Sequence, residues 1–225
     1  MCGRYALYGP VSRLREAFDA VPEGFEFEPR WNAAPMQWLP VVRQRSNGER
    51  VIHRLRWGLV PSWAKDATIA TRLINARGES VAEKPSFRAA FRRRRCIVPA
   101  NGFYEWQQLS DQQGGGKQPF YIHPVEGEFF ALAGLWERWT RPADGEELDT
   151  FTIVTTEANA AMRPLHDRMP VILAPVGVAQ RGDCGRPGAG AGEAVSRGGA
   201  GGVSGGEGGG ECEERGGGID RSVVQ

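Results

Sequence analysis

Large apolar residues stop abruptly in this chain. After Leu173 there is no Leu, Phe, Tyr or Trp, while 17 of the 31 glycines fall between Gly182 and Gly218. Such a segment cannot remove enough apolar surface from water to offset the entropy lost on ordering. All seven tryptophans lie at or before Trp139, so a core is affordable only upstream. The sequence therefore predicts one folded domain over 1–175 and a Gly-rich disordered tail over 176–225. No regular period in the tail supports a folded repeat.

Several function classes fall away on composition. No apolar run approaches the ~18 residues of a membrane span, and the N-terminus lacks the pattern of a secretory signal. Cys2, Cys96, Cys184 and Cys212 form no CxxC pair. A disulfide scaffold and a metal site are not expected, and a reducing cytoplasm is the expected compartment. Up to residue 175 there are 23 basic and 20 acidic residues. Binding to an anionic polymer would thus come from placement of cations, not bulk attraction.

Strand patterns dominate the body: 38–43, 51–57, 96–100, 103–106, 119–123, 129–137, 150–156 and 170–173. Ser12 is placed to cap a helix with Leu14, Ala17 and Phe18 on one face. Residues 77–93 read as helical with a break at Pro85, and Phe87, Ala90 and Phe91 share a face. Gly114 to Gly116 and Pro142 to Gly145 mark turns. Strands do not alternate regularly with helices, which disfavours an open parallel sheet. The expected class is α+β: an antiparallel, barrel-like sheet with flanking helices.

Cys2 follows the initiator Met. If Met1 is lost, the chain begins with two nucleophiles on adjacent carbons. The α-amine has a reference pKa near ~7.8 against ~10.4 for Lys, so it is unprotonated roughly a few hundred times more often at neutral pH. The thiol, near ~8.5, is intrinsically a strong nucleophile. An aldehyde would form an imine with the amine, and sulfur would then close a five-membered thiazolidine ring. The bland alternative is a small apolar residue beginning a strand.

Four further stretches accompany Cys2. They are Trp57-Gly-Leu-Val-Pro-Ser-Trp63 with Leu73-Ile-Asn-Ala-Arg-Gly-Glu79; Cys96-Ile-Val-Pro-Ala-Asn-Gly-Phe-Tyr-Glu-Trp106; Ala133-Gly-Leu-Trp-Glu137; and Thr155-Thr-Glu-Ala-Asn159 leading to His166-Asp-Arg-Met-Pro170. With Met-Cys-Gly-Arg at the start, this ordered set resembles the SRAP (SOS response-associated peptidase) family from Met1 to about Leu173.

The resemblance implies an abasic-site sensor acting on single-stranded DNA as a monomer, associated with the nucleoid when DNA-bound. It would trap the sugar as a thiazolidine through Cys2, after Met1 removal by a peptidase-like activity, with lyase chemistry accessible. No cofactor is implied. Asn75 matches the residue that positions Cys2; an amide donates and accepts without changing charge. Glu105 matches the acid/base that opens the ring-closed sugar and supports reversal, a role suited to a carboxyl in a dry aromatic pocket. His166 matches the active-site His; His53 and His123 read as structural. Arg4, Arg77 and Arg168 would face phosphates flanking the lesion. Trp38, Pro40, Trp57 and Trp63 are the candidate stacking surfaces. Taken alone, each Asn, Glu, His or Trp is equally at home in a turn, a strand or a core. The run Arg92 to Arg95 suits either DNA or a solvated helix end.

Two features depart from the family. Gly78 stands where Ala is usual, which costs a helix first turn up to ~1 kcal/mol. After Leu173 the family's further elements are replaced by the Gly-rich sequence, as an altered reading frame would produce. That predicts a barrel without its closing elements and with an exposed sheet edge. Two other classes remain at this stage: an N-terminal-nucleophile amidotransferase or hydrolase, which also begins Met-Cys-Gly, and an inactive single-strand binding remnant.

Overall fold

The computed structural model describes residues 2–24, 28–110 and 115–174; the tail expected to be disordered lies outside them. In chain order, β1 (Arg4–Leu7) leads to α1 (Val11–Phe18), β2 (Val21–Pro22), β3 (Arg30–Ala33), β4 (Trp38–Gln44) and β5 (Arg50–Trp57). A 3-10 segment (Ala67–Arg72) precedes β6 (Asn75–Arg77), and α2 (Arg88–Arg93) precedes β7 (Arg95–Ala100) and β8 (Gly102–Gln108). Then come β9 (Lys117–Ile122), β10 (Phe130–Thr140), β11 (Glu147–Glu157), β12 (Arg168–Pro170) and β13 (Ile172–Leu173).

Five strands form a barrel in the order β5-β4-β7-β10-β11, each neighbouring pair antiparallel. The barrel closes by a short parallel seam between β5 and β11, Arg56 opposite Thr150 and Trp57 opposite Phe151. The amide of Gly58 extends the seam by donating to the Phe151 carbonyl at 2.8 Å. The closure corrects the expected unclosed barrel: every strand that closes the ring precedes residue 158. The strands are rich in β-branched and aromatic residues, which fit a pleated, buried surface.

A four-stranded sheet, β3-β1-β8-β9, packs against the barrel. Its inward residues Tyr5, Leu7, Phe103 and Ile122 share one core with Leu39, Val41, Ile52, Trp57, Val98, Leu132 and Phe151 of the barrel. Each such side chain contributes about 1.5–3 kcal/mol by leaving water. A smaller cluster of Leu59, Ala76, Val81, Phe87, Ala90, Leu135 and Val154 seats α2 on the barrel's outside.

Three local expectations need correction. Residues 77–93 are not one broken helix: 75–77 form β6, a 3-10 turn spans Gly78–Ser80, and the helix begins at Arg88. Pairing with β11 supplies backbone partners that outweigh the helix propensity of the Ala-Arg segment. Phe91, assigned to the buried face of that helix, is exposed, while Phe87 and Ala90 are buried. Ser12 does not cap α1; Pro10 holds that position, with no side-chain cap bond, and Leu14 and Phe18 are buried as expected.

Candidate active site

Cys2 lies just before β1, wholly buried, with Asn75 reaching it from β6. The Asn75 Nδ2 donates to the Cys2 carbonyl at 2.9 Å. Its Oδ1 is buried and has no hydrogen-bond partner, an acceptor held beside the residue-2 backbone. The position of Asn75 follows from β6 pairing in parallel with β11, Asn75 opposite Ile153. Burial, and then the nearby Glu105 carboxylate, push the Cys2 thiol well above its ordinary range. Burial, then Cys2, does the same to the neighbouring phenol of Tyr5.

Glu105 sits on β8, 2% exposed. Alternation explains its aim: Phe103 and Glu105 face inward, Tyr104 and Trp106 outward. At the strand's far end a cleft of about 340 Å3 is lined by Glu105, Trp106, Lys117 and His166. Glu105 and His166, 61 positions apart in sequence, thus meet in one cleft, and the Glu105 charge is felt at Cys2. Lys117 was not among the sequence candidates. Only the β8–β9 hairpin, with Gln108 opposite Lys117, carries it there.

The His166 Nδ1 accepts from the Arg168 amide at 2.9 Å. In that state the neutral ring carries its proton on Nε2, so it acts as a donor there. The exposed Asp167 carboxylate is 2.7 Å from the same Nδ1, ready to pair with it once the ring is protonated. The two contacts are alternatives, because Nδ1 cannot accept and donate together. His53 and His123 stay apart from the cleft: His53 lies 2.6 Å from Glu23, and His123 is beside the Pro124 carbonyl.

The arginines differ from one another. Arg77 is exposed on β6. Arg4 lies on the outward face of β1, opposite Tyr104, and donates to Asn32 at 3.4 Å. Arg168 already has a carboxylate in its fork: Nη1 and Nη2 reach the two oxygens of Glu79 at 2.8 and 2.9 Å, and Nη2 also reaches the Thr155 carbonyl at 2.9 Å. The Arg168 hydrogen bonds hold Glu79 down to about 2. This pair fastens the turn after β6 to β12, and so Asn75's strand to the segment bearing His166. Within the basic run, Arg94 pairs with the buried Glu137 at 2.6 Å, while Arg92, Arg93 and Arg95 are exposed.

Of the stacking candidates, Trp38 and Trp63 are exposed. Pro40 is buried within β4 and Trp57 within the core, so neither offers a face to a base. Trp31 and Trp106, which the sequence did not single out as stackers, are also exposed. Among the described residues no three His, Cys, Asp or Glu side chains gather as a metal site, and no helix is long and apolar enough to cross a membrane.

The chain is similar to several known proteins. The abasic site processing protein YoqW of Bacillus subtilis is 45% identical over 177 residues, covering 77% of this chain and 76% of that one. The abasic site processing protein YoaM of the same organism is 44% identical over 178 residues, covering 77% and 75%. A crystal structure of a Bacteroides thetaiotaomicron protein superposes with a TM-score of 0.70 at 28% identity, covering 77% of each chain. Residues 1–181 match the family described as SOS response associated peptidase (SRAP), and the chain belongs to that family.

Proposed function

We propose that this protein processes abasic sites in single-stranded DNA by linking Cys2 covalently to the open-chain sugar after Met1 is removed. The observation that carries the reading is the convergence at residue 2: Asn75 on its carbonyl, the Glu105 carboxylate near its thiol, and the cleft shared by Glu105 and His166. Relatives at 45% and 44% identity are abasic site processing proteins, which supports the same substrate.

Burial orders the steps. A thiol held protonated is a poor first nucleophile, whereas an α-amine near ~7.8 is substantially unprotonated at neutral pH. The amine nitrogen therefore attacks the C1′ aldehyde first, and loss of water leaves an imine. The S–H then adds across the C=N bond: sulfur bonds to C1′, the proton passes to nitrogen, and a thiazolidine results. Atoms balance with water as the one by-product. Glu105 relays the proton when the ring-closed sugar opens, and again when sulfur adds. His166, carrying its proton on Nε2, donates to the departing oxygen. The Asn75 Oδ1 accepts from the freed amine while Nδ2 keeps the Cys2 carbonyl in place.

The test is incubation of purified protein with an oligonucleotide bearing one abasic site, followed by denaturing electrophoresis, with intact mass reporting Met1 removal. A band that resists denaturation and vanishes in Cys2→Ala is expected. Binding without a covalent band, or an equal band from Cys2→Ala, overturns the reading.

A further inference from the structure

Trp31 leaves 63% of its surface in water, more than any other large apolar residue among the described residues. The indole is nevertheless held in place. It stacks on Tyr8, with ring centroids 4.0 Å apart and planes 18° from parallel, and the Tyr104 hydroxyl donates to the Trp31 carbonyl at 2.9 Å. Its neighbour Asn32 receives the Arg4 guanidinium. Scattered exposed apolar residues are ordinary; a fixed, pre-stacked indole beside a cation is what single-strand binders use to hold a base.

The outward face of the four-stranded sheet connects this indole to the cleft. Trp106, at the cleft, lies two residues from Tyr104 on β8; Tyr104 is opposite Arg4 on β1; and β1 is flanked by β3, which carries Trp31. β3 is two strand spacings from β8, and Trp31 is level with Ala6 and Gly102, four residues along β8 from Trp106, so the indole and the cleft are about 17 Å apart. That distance corresponds to about five stacked nucleotides. Lys117 at one end and Arg4 midway complement the phosphates of a strand lying along this line.

We propose that Trp31, backed by Tyr8, is a stacking subsite for a base about five nucleotides from the lesion, so that the single strand crosses the outer face of this sheet. The inference rests on the abasic-site reading of the cleft. It is tested by fluorescence anisotropy with oligonucleotides bearing a central tetrahydrofuran, an abasic analogue with no aldehyde to trap. One probe has a single flanking nucleotide on each side and the other has about eight, to exceed the five-nucleotide reach. Trp31→Ala should weaken binding of the longer probe roughly tenfold, leave the shorter probe unaffected, and be largely rescued by Trp31→Phe. Equal affinity of Trp31→Ala and the parent for the longer probe overturns the subsite, as does an equal loss on both probes. Covalent trapping of true abasic DNA by the parent protein, measured in parallel, separates the two failures. Trapping with no Trp31 effect removes only the subsite; a parent that neither binds nor traps removes both readings.

Discussion

Cys2 and Glu105 share a buried site in which the proposed chemistry moves two protons: one from the sugar's anomeric hydroxyl to its ring oxygen, and later one from the thiol to the imine nitrogen. A carboxylate beside a shielded thiol can relay each of these protons in turn. Glu105→Gln keeps the size and hydrogen-bonding shape but removes the relay, so single-turnover crosslinking to a ring-closed abasic sugar should slow by roughly 100-fold or more. A rate within a factor of about two of the parent would remove Glu105 from the chemistry. At this scale the sequence was most informative where a motif carried the residue. Cys2, Asn75, Glu105 and His166 were all named from their stretches, and the fold brings them around one core edge. Pro40 was misjudged because nothing in Gln-Trp-Leu-Pro-Val says which side of a strand meets solvent. Lys117 and Trp31 went unnamed because their neighbours arrive through strand pairing, not through sequence.

The strand pair β8–β9 aims Glu105 inward and Lys117 toward the cleft, and its tightness depends on Gly102. A Cβ at this position would lie 2.5 Å from the Tyr121 ring and 2.6 Å from the Ile122 carbonyl. The second of these is backbone and cannot swing aside. Gly102→Ala should therefore cost about 1–3 kcal/mol and lower the thermal midpoint by several degrees, roughly 2–4 °C per kcal/mol for a domain of this size. An unchanged midpoint by calorimetry would show that β9 can shift without cost. The long strands β10 and β11 were legible because their β-branched and aromatic residues admit little else. β6 was not, since Asn-Ala-Arg-Gly-Glu has the composition of a helix. Its extended form comes from the parallel pairing offered by β11, a partner about 78 positions away.

Across the whole molecule, buried acids set the response to alkali. Burial pushes Cys96 up to about 12, and Cys2 and Tyr5 are raised as well. The unfolded chain releases these protons near ordinary values, so the folded state binds more protons above about pH 9. Stability is then fully present below that value and is lost as pH rises toward 12, by up to about 1.4 kcal/mol per pH unit for each such group. Thermal midpoints should fall between about pH 9 and pH 11, and Cys96→Ala should make the fall shallower; a flat profile would contradict the assignment. The barrel class was legible from the count and spacing of strands. Its closure was not, because two residue pairs joining β5 to β11 leave no sequence pattern.

The shielding of Cys2 has one more consequence. Peroxides and electrophilic metabolites attack thiolates that they can reach, and a protonated sulfur with no exposed surface is neither charged nor reachable. On the proposed abasic-site reading, oxidative stress, which strips bases from DNA and damages exposed cysteines alike, would spare this sulfur.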